Sequence, residues 1–194
     1  MKWYTVLFLI VLVVLSSLSV YKALTPQTYS DNGVSFNYPG TWNQLSAKDW
    51  NINSTSSSPT IAVVGDSNNA QNSSYVTMVT VQKTNQSGTL DEIVAASKAD
   101  LQKDKKAVMI SDKNITVNGV KAHDVLYNVT MGGVKKEVRL VVLAKNNTVY
   151  SLTLSAPDSE FANQKENFDM VVKSFNVTGK QENNSLNDLF NNLI

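Results

Sequence analysis

The sequence predicts an α+β domain in which helices pack on an antiparallel β-sheet. Asn118-Gly119 and Gly132-Gly133 each separate two stretches of alternating apolar and polar residues, the strongest short-range pattern for a β-hairpin. One helical pattern precedes these hairpins and another follows them. Because the strands follow one another instead of alternating with helices, the order favours an antiparallel sheet.

Three strands are expected ahead of the first helix, at residues 34–38, 60–64 and 75–81. The first lies between the turn-forming Asp31-Asn32-Gly33 and a terminating Pro39-Gly40, and its apolar residues alternate with polar ones. One polar loop rich in serine and asparagine precedes the second strand, and another separates the second strand from the third.

The first helix is expected to begin after Gly88. Thr89 and Glu92 have the spacing of a capping box, and Asp91 and Glu92 in the first turn suit the positive end of the helix dipole. One uncharged stripe of the helix is formed by Leu90, Ile93, Val94, Ser97 and Leu101, and the charged residues lie elsewhere.

A four-stranded antiparallel meander is expected next, at residues 108–117, 120–131, 134–144 and 148–155, with Asn146-Asn147 as its third turn. Residues 138–143 are apolar on both faces, which predicts a central strand covered on both sides. A second helix is expected at residues 158–174, with Asp158 and Glu160 as first-turn acids. Its buried stripe is Phe161, Phe168, Val171, Val172 and Phe175.

The composition limits the classes of function. The chain has 194 residues, enough for one domain with an apolar core, and it has no cysteine, which excludes disulfides and thiolate chemistry. A formal net charge of +1 without a basic tract gives no reason to expect a nucleic-acid partner.

Residues 3–21 carry no charge and would extend roughly 28 Å as a helix, close to the thickness of a bilayer's hydrocarbon core. We therefore expect residues 1–22 to include an N-terminal transmembrane anchor, followed by a linker at 23–28. Lys2 and the amino terminus place positive charge ahead of the segment, so the N-terminus should be cytoplasmic and the domain outside the cell membrane.

A cleaved signal peptide is the alternative for the same segment. Ser17-Leu18-Ser19 offers small residues at the spacing that signal peptidase requires, and cleavage there would secrete the domain. Both interpretations export the domain, so they differ only in whether it stays tethered.

The residues resemble the PsbP-like family. Gly33 to Trp42, with aromatic-x-aromatic-Pro and a nearby tryptophan, is similar to the family's opening strand. The closing part is also similar: Asn118-Gly119, Ala122, Tyr127, a glycine hairpin, Tyr150-Ser151-Leu152-Thr153, Pro157, Phe161, Phe168 and Val171-Val172-Lys173-Ser174-Phe175. The resemblance covers residues 29–177.

The resemblance implies an α/β/α sandwich around an antiparallel sheet. Plant and cyanobacterial members are extrinsic subunits of photosystem II, whereas members from organisms without photosynthesis are exported proteins of unknown role. The hydrophobic N-terminal segment favours the exported, non-photosynthetic type. No metal-binding residues of the family map onto this sequence, so we expect no cofactor and no metal site.

His123 is the only histidine, and it shares a strand face with Val125 and Tyr127. Its neighbour Asp124 points to the opposite face, so the two cannot converge on one site. The sequence has no nucleophile elbow and no phosphate-binding loop. We expect a structural histidine and no catalytic residue; an exported hydrolase or metal-dependent enzyme with an unrecognised site is the alternative.

Asparagine-linked glycosylation is a further expectation. Eight N-x-[ST] sequons occur, mostly in expected loops or on polar strand faces where a glycan would be tolerated, with chance drift in an asparagine-rich chain as the alternative. The acceptors are Asn53, Asn72, Asn85, Asn114, Asn128, Asn146, Asn176 and Asn183.

The C-terminal residues 179–194 form a polar tail ending in a short amphipathic pattern, with Ser185 as a helix cap. Its apolar positions are Leu186, Leu189, Phe190, Leu193 and Ile194. The tail helix docks on its own domain or on nothing in one interpretation, and on a partner or the membrane surface in the other. With residues 29–178 as the folded domain, we expect a non-catalytic binding or assembly module that meets an envelope protein through the domain surface or this tail helix.

Overall fold

The protein is described by a computed structural model that covers residues 8, 11–12, 25–50, 52, 54–67, 76–85, 88–103 and 107–179. The strands within this part are Gln27–Asp31 (β1), Val34–Tyr38 (β2), Asn43–Gln44 (β3), Thr60–Asp66 (β4), Thr77–Thr84 (β5), Ala107–Val117 (β6), Val120–Met131 (β7), Val134–Lys145 (β8), Thr148–Pro157 (β9) and Asn176–Val177 (β10). The helices are Leu90–Lys103 (α1), Asp158–Phe161 (α2), a 3₁₀ turn at Ala162–Gln164, and Lys165–Ser174 (α3).

The main sheet has seven antiparallel strands in the order β3-β4-β5-β9-β8-β7-β6. Two-residue turns join its long hairpins, and both residues of each turn have positive φ, as in Asn118-Gly119 (44° and 79°) and Asn146-Asn147 (54° and 58°). Such turns match the right-handed twist of paired strands, which is why these dipeptides fix the hairpins. The predicted meander is confirmed.

A second sheet was not predicted. Its strand order is β1-β2-β10, and β10 pairs with β2 through Asn176↔Ser35 and Val177↔Val34. β1 begins at Gln27, inside the stretch expected to be a linker. The α+β class with antiparallel sheets and a few helices is confirmed, but the layer opposite α1 contains both a helix and this small sheet.

The two faces of the main sheet have separate cores. On the α1 face, Val94 of the helix packs on Val125, Val142 and Val149. On the α3 face, the larger core joins strand residues such as Val141 and Leu143 to an aromatic group from α3, the small sheet and neighbouring segments. This group contains Tyr29, Phe36, Tyr38, Trp42, Phe161, Phe168 and Phe175. As predicted, β8 is a central strand buried on both sides.

The predicted capping box of α1 is confirmed. Thr89 donates its backbone N–H to the Glu92 carboxylate at 2.8 Å, and the Glu92 N–H donates to Thr89 Oγ1 at 3.3 Å. These two bonds satisfy backbone donors at the open end of the helix, so the start of α1 is set locally.

The second predicted helix is divided into α2, the 3₁₀ turn and α3. Its predicted apolar stripe is buried throughout, from Phe161 (9% exposed) to Val171 (0%). Asn118 of the β6–β7 turn donates from its side chain to the Phe175 carbonyl at 2.7 Å and so ties the end of α3 to the main sheet.

Among the described residues, none of the helices combines the length and apolarity needed to cross a bilayer. The N-terminal hydrophobic segment lies outside those residues except for Phe8, Val11 and Leu12, and the predicted tail helix lies outside them entirely.

Candidate functional site

Arg139, the only arginine of the sequence, joins α3 to the main sheet. From the α3 face of β8 it contacts Asp124 of β7 through Nε at 3.0 and 3.1 Å and through Nη2 at 2.8 Å. Its Nη1 donates to Asp169 of α3 at 2.7 Å, and Lys165 donates to the same carboxylate at 2.8 Å. A forked guanidinium can hold two carboxylates in fixed positions, which a lysine cannot do.

The pKa shifts within this cluster show that its charges stabilise one another. Burial alone would lower the pKa of Arg139, but its bonds to Asp124 and Asp169 raise that pKa above the ordinary value. Burial alone would raise the pKa of Asp169, but hydrogen bonds from Lys165 and Arg139 hold it below its usual range. Arg139 and Asp169 are therefore both ionised at neutral pH.

A cleft of about 420 Å³ lies beside this cluster, between α3 and the sheet, and we call it the Arg139 cleft. Its volume is within the range of pockets that hold small ligands. Apolar side chains from both elements line it together with charged ones: Leu126, Phe161, Phe168, Lys113, Asp124, Glu137, Arg139, Lys165 and Asp169. None of these charged residues was predicted to form a site.

His123 lies on the opposite face of the sheet from Asp124, as predicted, but it is not isolated. Its Nε2 is 2.8 Å from Asp91 Oδ1 in the first turn of α1, and its Nδ1 is 3.4 Å from Asp112 Oδ1 on β6. Lys98 of α1 contacts the other oxygen of Asp112 at 2.5 Å. Asp91 was interpreted as a first-turn acid only; it also ties α1 to the sheet.

Hydrogen-bond chemistry gives this arrangement a protonation requirement. A neutral imidazole has one N–H donor, and an ionised carboxylate can only accept. Both contacts of His123 can therefore be hydrogen bonds only when the ring is the imidazolium ion. His123, Asp91, Asp112 and Lys98 form what we call the His123 cluster, which joins α1 to β6 and β7.

Asp112 gives a pH-dependent test of the His123 cluster. The hydrogen bond from Lys98 is the main cause that holds the pKa of Asp112 below its usual range; burial opposes it and His123 adds to it. A carboxyl group whose pKa is depressed by folding stabilises the fold when the pH is above its pKa in the unfolded chain, near 4. This stabilisation is lost as the pH falls through the pKa of the group in the folded protein. Asp112→Asn should lower the free energy of unfolding at pH 7 by less than about 1 kcal/mol, since the pair is partly exposed.

The measurement is urea unfolding of both proteins at pH 7 and pH 3. The difference between them should be smaller at the lower pH. Asp49→Asn, which changes an exposed aspartate away from this cluster, is the matched control and should show no difference at either pH. A loss for Asp112→Asn that is as large at pH 3 as at pH 7 would contradict the assignment.

Five predicted glycosylation acceptors lie within the described residues, and all five are exposed: Asn85, Asn114, Asn128, Asn146 and Asn176. Asn114 also lines the cleft that contains His123. Asn53, Asn72 and Asn183 lie outside the described residues. Their modification stays a prediction.

The edge strand β6 carries an exposed apolar surface, which we call the β6 edge: Val108, Met109 and Ile110, exposed by 62%, 41% and 49%. Among the residues that the structure describes, β6 pairs with β7 alone and is therefore the edge strand of the main sheet. A bulge between Met109 and Ser111 interrupts the pairing at this point. Adjacent large apolar side chains on an open edge are uncommon, because natural proteins usually protect such edges with charges.

No group of three or more metal-ligating side chains comes together within the portion of the chain described here. His123 contacts Asp91 and Asp112, Asp112 also pairs with Lys98, and neither cluster holds a serine within its side-chain hydrogen bonds. The two charged clusters thus join elements of the fold to each other.

Comparison with known proteins agrees with this architecture. The PsbP family model matches residues 24–177. The solution structure of cyanobacterial PsbP from Synechocystis is similar with a TM-score of 0.56 at 19% identity, covering 79% of this chain and 92% of that one. LpqN of Mycobacterium tuberculosis, described as involved in cell envelope biogenesis, has a TM-score of 0.56 at 14% identity over 80% and 90% of the two chains.

Mog1 is similar with a TM-score of 0.53 at 10% identity, covering 81% of this chain and 98% of Mog1. At these identities the solved structures establish a shared fold. No curated protein matches the sequence significantly. Because the family model spans nearly the whole of the folded region, this chain belongs to the PsbP family.

Proposed function

We propose that this chain is an exported, non-catalytic binding module that recruits a protein of the cell envelope through the β6 edge. The exposed apolar side chains of Val108, Met109 and Ile110 on an edge strand carry this proposal. An extended segment of a partner can add to such an edge by main-chain hydrogen bonds, while its side chains meet the apolar ones.

The N-terminal segment supports the location. An uncharged stretch at residues 3–21 would hold the domain on the outer side of the cell membrane, or secrete it after cleavage. LpqN, a protein of the same fold, is described as involved in cell envelope biogenesis, which agrees with a role at that place.

The experiment is site-directed photo-cross-linking in native membranes, with a photoreactive amino acid at position 108. We expect one partner to be captured there, and capture to fall at least tenfold when Ile110→Lys is added, because burying an unpaired lysine in the interface is costly. Met131→Lys is the matched control, since it exchanges a similarly exposed apolar residue (55%) at the end of β7, off the edge strand.

Each outcome bears on the proposal. Loss with Ile110→Lys and retention with Met131→Lys supports strand addition at the β6 edge. Equal loss with both substitutions would indicate a general apolar contact instead. No capture from position 108 in membranes that contain the intact chain would overturn the proposed function.

A further inference from the structure

The Arg139 cleft contains two charged side chains that its ion-pair cluster does not use. Arg139 is committed to Asp124 and Asp169, and Lys165 is committed to Asp169. Lys113 and Glu137 also line the cleft. Within the part of the chain that the structure describes, neither of these two side chains forms a hydrogen bond or ion pair.

The strand register places these two charges at opposite ends of a diagonal. Lys113 of β6 is opposite Asp124 of β7, and Glu137 of β8 is opposite Asn128 of β7. Two strand spacings and four residues along β7 therefore separate their Cα atoms by roughly 17 Å. The flexible side chain of Lys113 can bring its ammonium group closer to the Glu137 carboxylate than the Cα atoms are. The two charged groups still lie too far apart to form an ion pair.

An apolar floor lies between the two charges. Leu126 occupies the middle of the diagonal on β7, and Phe161 and Phe168 form the wall on the helical side. Burial, with a smaller contribution from Asp158, raises the pKa of Glu137, which shows that its carboxylate is partly removed from water. The remaining binding capacity is thus one cation, one anion and an apolar surface between them.

We propose that the Arg139 cleft binds a short zwitterionic peptide of two or three residues with an apolar side chain. Its carboxylate contacts Lys113, its amino group contacts Glu137, and its side chain packs on Leu126 and Phe168. An extended peptide of this size spans roughly 7–10 Å, which matches the gap that the two side chains leave. This ligand would occupy the cleft whether or not a protein partner binds the β6 edge.

The test is calorimetric titration of the full purified chain in detergent with the peptide Ala-Leu-Ala, its N-acetylated form and its C-terminal amide. Removing either charge should weaken binding about tenfold, as expected for loss of a charge-assisted hydrogen bond. Lys113→Gln and Glu137→Gln preserve size and remove no described contact, so both variants should fold. Lys121→Gln, on the other face of β7, is the matched control.

Each variant should weaken binding only of a peptide that carries the terminal charge which the replaced side chain contacts. Glu137→Gln should weaken binding of Ala-Leu-Ala about tenfold and leave binding of the N-acetylated peptide unchanged. Lys113→Gln should weaken binding of Ala-Leu-Ala about tenfold and leave binding of the C-terminal amide unchanged. Absence of binding by Ala-Leu-Ala at millimolar concentration, or equal weakening of every peptide by either variant, would overturn the proposal. Cross-linking at the β6 edge is scored separately, so failure of one proposal is distinguishable from failure of the other.

Discussion

Replacing Arg139 by methionine should lower the free energy of unfolding by about 2–3 kcal/mol at pH 7, because it leaves two carboxylates near each other without their shared cation. The side chains of Arg139, Asp124 and Asp169 are 15–21% exposed, so water partly screens the repulsion between the two carboxylates. The expected loss of stability is therefore smaller than for breaking a fully buried ion pair. Urea unfolding of the purified chain measures the change.

A double-mutant cycle separates the ion pair from loss of packing. Asp124→Asn alone should destabilise the fold, and the same substitution should cost little once Arg139→Met is present, giving a coupling of about 1 kcal/mol or more. Arg139→Lys keeps the charge and lacks the fork that reaches both carboxylates, so an intermediate loss is expected. Additive single effects would contradict the assigned role.

The pH dependence follows from Asp169, whose pKa is depressed in the fold. A depressed carboxyl pKa contributes stability above the unfolded value near pH 4, and that contribution is lost as the pH falls through the folded value. The difference between the wild type and Arg139→Met should therefore be largest near neutral pH and should shrink in acid.

Local chemistry explains which elements the sequence could predict. Positive φ at Asn118-Gly119 and Asn146-Asn147 and the capping box at Thr89 are decided by neighbouring residues, so the meander and the start of α1 follow from short patterns. β3 and β10 have two residues each and exist only through their partners on β4 and β2, which no local pattern encodes.

The charged clusters were partly within reach of the sequence. A two-residue turn at Asn118-Gly119 fixes the β6–β7 register, which places Asp112 next to His123 on one face. The single arginine at position 139, within a strand expected to be buried on both sides, also required a carboxylate partner. Asp91 and Asp169 could not be foreseen, because their positions depend on how each helix crosses the sheet.

Replacing Trp42 by alanine should cost about 3–5 kcal/mol, the range for deleting a fully buried aromatic side chain. Trp42 is 2% exposed and meets the Phe168 ring edge-on at 6.1 Å, and Phe168 in turn lies 5.3 Å from Phe161. Both phenylalanines line the Arg139 cleft, so the tryptophan supports the cleft wall from the core side.

Trp50→Ala is the matched control, since the same side chain is removed from a half-buried position. It should cost less than about half as much, because less apolar surface leaves water on folding there. Thermal and urea unfolding of both variants measure the difference, and Trp42→Phe should recover part of the loss by refilling most of the cavity. Equal destabilisation by Trp42→Ala and Trp50→Ala would contradict the expected effect of burial, and a small cost for Trp42→Ala would show that the aromatic core does not depend on Trp42. In the second case the wall formed by Phe161 and Phe168 would have to be held by α3 and the sheet alone.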